Sequence, residues 1–236
     1  MLNEVLLVLS VPVIFGAILL AFKLFGKSGL YVMTAVCTIC ANIEVLILIE
    51  AFKVEQTLGN VLFAATFLIT DILSECFGKK DANKAVNIGI FTSLFFIVIS
   101  QSWLLFTPSV NDFIHPSITA VFSNTPRMML SSLIVYAVCQ KLDVFLYHKW
   151  WQLSEKFSGD RRAHLWLRNN GSTLLSQLIN TVLFNVAAFL GVYDTPTLIS
   201  IIISGYVIYI ITSVLDTPFV YAARRIFEKN KEKLSK

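Results

Sequence analysis

The sequence predicts an all-α polytopic membrane protein. Of its 236 residues, 56% are hydrophobic and only 14% are charged, and the mean hydropathy is +0.72. A soluble domain of this length would be about a quarter charged. Apolar runs of about 20 residues, long enough to cross a bilayer as a helix, recur along the whole chain with short connections. The chain therefore has room for one compact helical domain in the membrane.

Seven of these runs are expected to span the bilayer. The first has no basic segment before it and exceeds the usual length of a signal-peptide core, so we interpret it as a retained helix. The predicted spans cover about residues 4–25, 30–52, 58–77, 84–106, 126–147, 171–191 and 197–221.

The distribution of basic residues predicts an N-terminus outside and a C-terminus inside. With seven spans, this orientation puts 17 of the 19 Lys and Arg residues on the inner side and leaves only Lys53 and Arg127 outside, in agreement with the positive-inside rule. The net charge of +4 then reflects inner loops beside anionic lipid. It gives no indication of a nucleic-acid partner.

The third span carries two acids in an otherwise apolar run. Asp71 and Glu75 are spaced i, i+4 and share a helix face, and Asp71 lies about 10 Å from the inner end at 1.5 Å per residue. Ionisable residues at such a depth usually mark function. Two interpretations stay open: the acids hold a solute, a cation or a proton, or they bond the basic loop at Lys79, Lys80 and Lys84.

Three further spans carry polar stripes at helical spacing. Facing lipid, such side chains would be costly, so the stripes are expected to face a cavity or, alternatively, to hydrogen-bond other helices. The stripes are Thr34, Thr38 and Asn42 in span 2; Thr173, Gln177, Asn180 and Thr181 in span 6; and Ser204, Tyr209, Thr212 and Asp216 in span 7. Arg127 opens span 5 after Pro126, as a site residue or as an interfacial anchor.

The sequence shows no catalytic or metal-binding constellation. No predicted span contains a His, and "CTIC" lies on one span without a second ligand pair. The GKS of "AFKLFGKSG" lacks the first glycine of a phosphate-binding loop, because that position is Ala21. We therefore expect no enzyme, no cofactor and no metal. Buried acids, amides and hydroxyls suit a flat hydrogen-bonding solute, such as a guanine-like edge with two adjacent N–H donors.

Five ordered segments resemble the queuosine precursor transporter family, also grouped among the vitamin uptake transporters. They are "ANIEVL", "GNVLFAATFLITDILSECFGKKDANKAV", "PRMMLSSLIVYAVCQKLDVF", "LWLRNNGSTLLSQLINTVLFNVAAFLG" and "LDTPFVY". The resemblance implies a multi-pass protein of the bacterial cytoplasmic (inner) membrane that imports deazaguanine bases or queuine for tRNA modification. It also implies a six-helix transport core at 30–226, with an added N-terminal transmembrane helix at 1–29 and a basic cytoplasmic tail at 227–236.

The resemblance and the polar stripes together give the candidate site residues. Substrate binding is expected of Asp71, Glu75, Asn42, Gln177, Asn180, Tyr209, Asp216 and Arg127. Structural or gating roles are expected of Gln140, Asp143, Asn170 and Ser172.

Asn180 and Tyr209 depart from the family pattern, in which an acid and a lysine are common at these positions. Both lie near the midplane at 1.5 Å per residue. Because a buried ion pair is costly to leave half-made, we expect the two neutral residues to replace it together and to lie close to each other.

Two modes of action stay open. The protein is either a self-sufficient importer, driven by a gradient or by metabolic trapping of the base, or the substrate-binding subunit of an energy-coupling-factor type vitamin uptake system. The expected partners are a deazaguanine-type small molecule and the lipid bilayer, with no nucleic acid. Small residues in the spans leave a homo-oligomer open.

Overall fold

The computed structural model describes residues 2–123, 126–160 and 163–230, without the side chain of Pro126. The elements in chain order are α1 (Leu2–Glu44), β1 (Leu48–Ala51), β2 (Val54–Thr57), α2 (Asn60–Phe77), α3 (Lys79–Trp103), α4 (His115–Phe122), α5 (Pro126–Ser158), α6 (Leu165–Phe189) and α7 (Thr195–Lys229). Among the described residues, all of these helices except α4 are long and apolar enough to cross a membrane. The predicted all-α polytopic fold is confirmed.

Helix α1 contains two of the predicted spans because the chain breaks its helical path at Gly26. The φ of 60° and ψ of −140° at this residue lie outside the helical region, and glycine adopts them without steric cost. The break separates a first arm, residues 2–25, from a second arm, residues 27–44. At 1.5 Å per residue the arms are about 36 Å and about 27 Å long, and each is long enough to cross a hydrocarbon core of about 30 Å with its flanks.

The two arms fold back on each other as a helical hairpin. Beside the turn, a β-carbon on Gly29 would collide with the carbonyl group of Ala21, so the backbones touch there. At the far end, Asn3 Nδ2 donates to the carbonyl oxygen of Glu50 at 2.8 Å, which places the start of the first arm beside the end of the second. With this hairpin counted as two segments, the described helices provide seven segments long enough to cross a membrane, the number that the sequence predicted.

The predicted end of the second span is wrong. The span was expected to cover 30–52, but α1 ends at Glu44 and the next residues form the antiparallel pair β1–β2. Phe52 and Lys53 make its two-residue turn, with φ of 55° and 63°. The aliphatic run at 45–49 is apolar enough to extend a span, and hydropathy alone does not distinguish it from a strand.

The other spans begin and end at different residues from those predicted. Helix α3 begins at Lys79, and α5 and α7 continue to Ser158 and Lys229, because mixed apolar and charged sequence prolongs each helix beyond the apolar run. Helix α4 lies between two spans and was not predicted.

The connections define two faces of the bundle. The hairpin face carries β1–β2, α4 and the link between α6 and α7. The basic face carries Gly26, Gly78 and the end of α7, with Lys23, Lys27, Lys79 and Lys80 nearby. Arg161 and Arg162, and the predicted tail beyond Asn230, lie outside the described residues. The assignment of the basic face to the cytoplasm stays a prediction.

Helix α2 lies at the centre of the bundle. Every residue from Val61 to Ser74 except Phe63 is buried, and α2 packs against α1, α3, α5 and α7. Apolar side chains such as Leu6, Leu9 and Val13 of α1 are exposed, as expected for a surface that faces lipid.

The first arm of α1 contributes to the main apolar core. Phe15, Ile18 and Phe22 are fully buried in the cluster that contains Leu68 and Ile72 of α2. The division between an added helix at 1–29 and a transport core at 30–226 stays a prediction.

The orientation of the bundle is testable with an enzyme that is active only outside the cytoplasm. Alkaline phosphatase is expected to be inactive when fused after Lys236 and active when inserted between Phe52 and Lys53, because the basic face is predicted to be inside. Phosphatase activity, normalised to the protein amount on an immunoblot, measures the outcome.

A green fluorescent protein fused after Lys236 serves as the matched control and should fluoresce. An active phosphatase at the C-terminus would overturn the orientation. Equal activity of the two phosphatase fusions would contradict the five crossings that the structure places between the β-hairpin and the C-terminus.

Candidate functional site

A column of buried polar side chains runs through the bundle between α2, α5, α6 and α7. Polar residues in such a position must hydrogen-bond one another, because lipid chains offer no hydrogen-bond donors or acceptors. Its members with an exposed fraction of 3% or less are Thr66, Thr70, Asp71, Ser74, Gln140, Asp143, Arg168, Asn169, Ser172, Thr173, Ser176, Gln177, Asn180, Thr181, Thr212, Ser213 and Asp216.

Three aspartates form the middle layer of the column, and we call Asp71, Asp143 and Asp216 the aspartate trio. They come from α2, α5 and α7 and have exposed fractions of 1%, 0% and 2%. Each of the three carboxyl groups contacts a side chain of α6. Three helices thus each bring one acid to the same face of α6.

Helix α6 supplies a polar partner to each member of the trio. Thr173 Oγ1 lies 3.2 Å from Asp71 Oδ2, and Ser176 Oγ lies 2.9 Å from Asp143 Oδ1. Asn169 Nδ2 donates to Asp216 Oδ1 at 2.7 Å. These residues recur on one face of α6 at helical spacing, so one helix serves acids from three others.

Three polar atoms in or beside this layer have no hydrogen-bond partner among the described residues. They are Asp143 Oδ2, Asn169 Oδ1 and Gln177 Nε2. Two are acceptors and one is a donor. A buried polar group without a partner is costly, so the layer has open bonding capacity for a solute that offers both N–H groups and an acceptor.

An ion layer lies one helical turn nearer the basic face. Arg168, with an exposed fraction of 0%, donates bidentate hydrogen bonds to the two carboxylate oxygens of Glu75 at 2.8–3.0 Å. Tyr147 donates to Glu75 Oε2 at 2.8 Å, and Arg224 Nη1 lies 3.3 Å from Glu75 Oε1. The Arg168 guanidinium also lies over the ring of Trp151, at 4.4 Å from its centroid.

The ion layer changes the interpretation of Glu75. The sequence suggested a solute acceptor or a partner of the loop lysines, but both carboxylate oxygens bond Arg168 and Tyr147. Glu75 therefore joins α2 to α5, α6 and α7 and lies at the boundary of the site. On its basic-face side, a recess of about 360 Å³ is lined by residues that include Glu75, Trp151 and Ser74.

Two residues that were predicted to have structural or gating roles connect helices of the column. Gln140 of α5 donates through Nε2 to Thr66 Oγ1 at 2.6 Å and accepts from Thr70 Oγ1 at 3.2 Å. Asn170 of α6 donates to Thr217 Oγ1 at 2.7 Å and accepts from Ser213 Oγ at 3.1 Å. The first connects α5 to α2, and the second connects α6 to α7.

Ser172 lies beside the trio on α6. Its hydroxyl group bonds the carbonyl oxygens of Arg168 and Asn169 in its own helix. On α6 it lies between Arg168 of the ion layer and the residues Thr173 and Ser176 that contact the trio.

Asn180 and Tyr209 meet on the hairpin-face side of the trio, as the sequence suggested. They line the same two small cavities, of about 30 Å³ and about 20 Å³. Tyr209 donates to Asn60 Oδ1 at 3.2 Å, while Asn180 donates to Gln177 Oε1 at 3.3 Å. The Phe63 ring packs against Tyr209 with centroids 6.4 Å apart, so aromatic rings close this side.

Two predicted site residues lie elsewhere. Arg127 is exposed and donates to the carbonyl oxygens of Ala187 and Leu190 at 2.9 Å each, which caps the end of α6. Asn42 donates to the Thr38 carbonyl oxygen and to Ser93 Oγ at 2.8 and 3.3 Å, so it joins α1 to α3. Both side chains make these hydrogen bonds within the protein, and their contact with the solute stays a prediction.

Sequence reasoning missed Arg168, Asn169, Tyr147 and Asn60. Arg168 was counted only as a basic loop residue, because hydropathy placed the start of the span after it. The signal was present, since Asn169 continues the stripe of Thr173, Gln177 and Asn180 by one more turn. A buried acid such as Glu75 also requires a cation nearby.

The described part of the chain offers no metal centre. It contains no group of three His, Cys, Asp or Glu side chains arranged to hold a metal ion. What the arrangement can do is bind a polar solute through amide, hydroxyl and carboxyl groups.

Removal of one partner from the ion layer is expected to destabilise the protein. Glu75→Gln leaves the fully buried Arg168 without its carboxylate, at a cost of about 3–5 kcal/mol. We expect a lower midpoint of thermal unfolding for the variant purified in detergent, followed by monodispersity on size exclusion. Glu155→Gln, at an exposed glutamate of the same recess, should unfold like the unmodified protein.

The combined change Glu75→Leu and Arg168→Met is expected to recover much of that loss, because no buried Arg168 is then left without its carboxylate and Arg224 keeps its contact with Glu228. If Glu75→Gln matched the unmodified protein in stability, the ion layer would not hold the four helices together.

Two comparisons with known proteins agree with this architecture. A family model described as "Putative vitamin uptake transporter" matches residues 57–223. A protein of Bacillus subtilis (strain 168), described as "Probable queuosine precursor transporter", is 39% identical over 212 residues, which cover 90% of this chain and 90% of the relative. No solved structure matches the chain. The matched region contains all three acids of the aspartate trio, and the chain belongs to the vitamin uptake transporter family.

Proposed function

We propose that the protein imports queuosine precursors, either deazaguanine bases or queuine, across the membrane for tRNA modification. The observation that carries the proposal is the aspartate trio with its unpaired acceptors and donor, at the centre of a chain that resembles a relative described as a queuosine precursor transporter. The proposed activity is transport without chemical conversion of the solute.

The unpaired atoms match the hydrogen-bonding edge of a deazaguanine. Such a base presents adjacent ring and exocyclic N–H donors beside a carbonyl acceptor. Asp143 Oδ2 and Asn169 Oδ1 can accept from the N–H groups, and Gln177 Nε2 can donate to the carbonyl oxygen. A site that pairs each polar atom of its ligand rejects analogues that lack one of them, because its own buried group is then left unpaired.

The structure is closed to a solute of this size. The cavities beside Asn180 and Tyr209, of about 30 Å³ and about 20 Å³, are far below the roughly 300 Å³ of the smallest usual ligand pockets. Entry from the hairpin face requires Phe63 and Tyr209 to separate. Release to the basic face requires the ion layer to open, because Glu75 and Arg168 lie between the trio and the recess of about 360 Å³. The two barriers suit alternating access.

The proposed function is testable through tRNA. Cells that lack both their own queuosine precursor synthesis and their own importer should regain queuosine in tRNA when they express this protein and receive one precursor at a time in the medium. Mass spectrometry of digested tRNA measures the modification. A host without energy-coupling-factor modules distinguishes a self-sufficient importer from a substrate-binding subunit. Failure with every precursor, with the protein present in the membrane, would refute the proposal.

Asp71→Asn is expected to abolish uptake. The change preserves size but replaces one acceptor oxygen of the trio by an N–H donor, which disturbs the contact with Thr173 and with it the arrangement of the neighbouring acceptors. Accumulation of labelled base in cells measures the effect, and an immunoblot of the membrane fraction shows that the protein is present.

Asp194→Asn is the matched control, because Asp194 is exposed at the start of α7 and its side chain makes no capping hydrogen bond. Uptake by this variant should equal that of the unmodified protein. Normal uptake by Asp71→Asn would remove Asp71 from the site.

A further inference from the structure

We propose that the β-hairpin and helix α6 form a second binding site for the solute, nearer the hairpin face than the aspartate trio. In this site the carboxamide group of Gln56 pairs with an adjacent N–H and C=O on the edge of a flat base. We call it the hairpin subsite and define it by Gln56 of β2, Thr181 and Asn185 of α6, and Gly205 of α7. It rests on the proposed function, because it adds an entry station to the same path.

The first observation is the burial of Gln56 on the inner face of the β-hairpin. Its exposed fraction is 2%, and neither Oε1 nor Nε2 of its carboxamide has a hydrogen-bond partner among the described residues. Its backbone pairs with Ile49 of β1, and the neighbouring Glu55 is exposed, because successive residues of a strand point to opposite faces. A buried carboxamide without partners costs free energy, and a ligand that pairs with it recovers that cost.

The second observation is a hydroxyl group on α6. Thr181 has an exposed fraction of 1%, and its Oγ1 has no hydrogen-bond partner in the described part of the chain. In a helix such a hydroxyl group usually donates to a carbonyl oxygen one turn earlier, as those of Thr34, Thr70 and Thr212 do here. The Thr181 hydroxyl group is therefore available to a ligand.

The two side chains line the same cavity. This cavity of about 20 Å³ is lined by residues that include Gln56, Thr181, Asn185, Gly205 and Tyr209. Two elements that are far apart in the sequence, β2 and α6, thus bring unpaired polar atoms to one place. Convergent polar groups on the wall of a cavity are typical of a ligand site.

The chemistry of Gln56 indicates the class of ligand. A carboxamide group presents one acceptor beside two donors. It forms a bidentate pair with an edge that has an N–H next to a carbonyl group, since Oε1 accepts from the N–H and Nε2 donates to the carbonyl oxygen. The ring N–H and the adjacent carbonyl group of a deazaguanine form such an edge. The Thr181 hydroxyl group both donates and accepts, so it can bond a further polar atom of the base.

The hairpin subsite and the aspartate trio use different protein atoms but share a face of α6. Thr181, Gln177 and Thr173 follow one another at intervals of four residues, which places them on one face of the helix. Thr173 contacts Asp71 of the trio. A solute that moves along this face meets Gln56 and Thr181 first and the trio afterwards, so that its edge is bonded at one station at a time.

In the closed structure the cavity of the hairpin subsite has room for about one water molecule, so a base enters only when its walls separate. Tyr209 is one of these walls, and its displacement is already required for entry from the hairpin face. Gln56 also lines an apolar groove of about 710 Å³ between the first arm of α1 and α7. The groove gives the Gln56 side chain room to shift as the subsite opens.

Uptake kinetics of labelled 7-cyano-7-deazaguanine in cells test the subsite. Gln56→Met preserves the length of the side chain but removes both hydrogen-bonding groups. We expect the KM of uptake to rise about 10-fold, as for the loss of two hydrogen bonds. The maximal rate should stay within about twofold, because binding at an entry station precedes translocation. Glu55→Gln, at the exposed neighbour on the same strand, is the matched control and should keep the KM of the unmodified protein.

Thermal unfolding of the purified variants distinguishes a binding role from a structural one. Gln56→Met removes a buried polar group that has no partner among the described residues, so its midpoint of unfolding should equal or exceed that of the unmodified protein. A lower midpoint with an unchanged KM would show that Gln56 serves the fold, for example through a bound water molecule, and would overturn the proposal.

Gly205→Ala gives an independent test of the cavity. A β-carbon at this position would lie 3.7 Å from Thr181 Cγ2, in ordinary contact, and alanine favours a helix more than glycine does. The variant should therefore fold normally. Because the added methyl group narrows the cavity beside Thr181, the KM of uptake should rise, as it does for Gln56→Met. An unchanged KM in both variants would exclude the hairpin subsite.

Isothermal titration calorimetry in detergent separates the subsite from the proposed function. Asp71→Asn should no longer transport but should still bind 7-cyano-7-deazaguanine, and the further change Gln56→Met should weaken that binding about 10-fold. A folded Asp71→Asn protein that binds no base would overturn the subsite.

The combined outcomes decide between the two proposals. If the unmodified protein takes up the base and Gln56→Met has the same KM, import stands and the hairpin subsite falls. If binding depends on Gln56 but no uptake occurs, the subsite stands and import falls. If the unmodified protein neither binds nor takes up the base, both fall.

Discussion

An acid in the hydrocarbon part of a membrane must find its donors within the protein, because water does not solvate it there. In this chain one helix meets that requirement for three others. Thr173, Ser176 and Asn169 of α6 serve the acids of α2, α5 and α7, and Arg168 serves Glu75 one turn away. The lateral position of each helix around α6 is therefore tied to a particular polar contact, and the apolar core around α2 fills the remaining space.

The two polar layers differ in a way that suits different roles. In the ion layer each charged group is paired with a group of opposite charge. The contact between Arg168 and Glu75 is bidentate, which favours one fixed arrangement of the helices. In the layer of the aspartate trio the direct partners are neutral side chains, and two acceptors are unpaired. A layer whose polar groups are all paired stabilises the closed state. A layer with unpaired polar groups forms additional hydrogen bonds when a ligand binds. Their spacing of one turn couples the two, since Asp71 and Glu75 are on the same face of α2.

The sequence predicted the architecture well because hydropathy and length decide which segments cross a membrane. Seven crossings and the depth of Asp71 follow from that signal. It failed at the strand that follows Glu44, where an apolar β-branched run resembles the end of a span. It did not reveal the contacts of Arg127, Asn42 and Glu75 with other helices, because spacing along one helix does not show which other helix lies opposite. Arg168 was hidden by the same limit: its burial depends on Glu75 and Trp151, which come from two other helices.

The reversal at Gly26 has a consequence for the way the chain enters the membrane. The two arms of α1 are joined by a single non-helical residue, so no polar loop has to cross the lipid between them. They can insert as one unit whose backbone groups are already satisfied. Lys23 and Lys27 flank the turn, and with the basic face inside, as predicted, they would keep the turn on the side of synthesis while the acids of α2 are still being made.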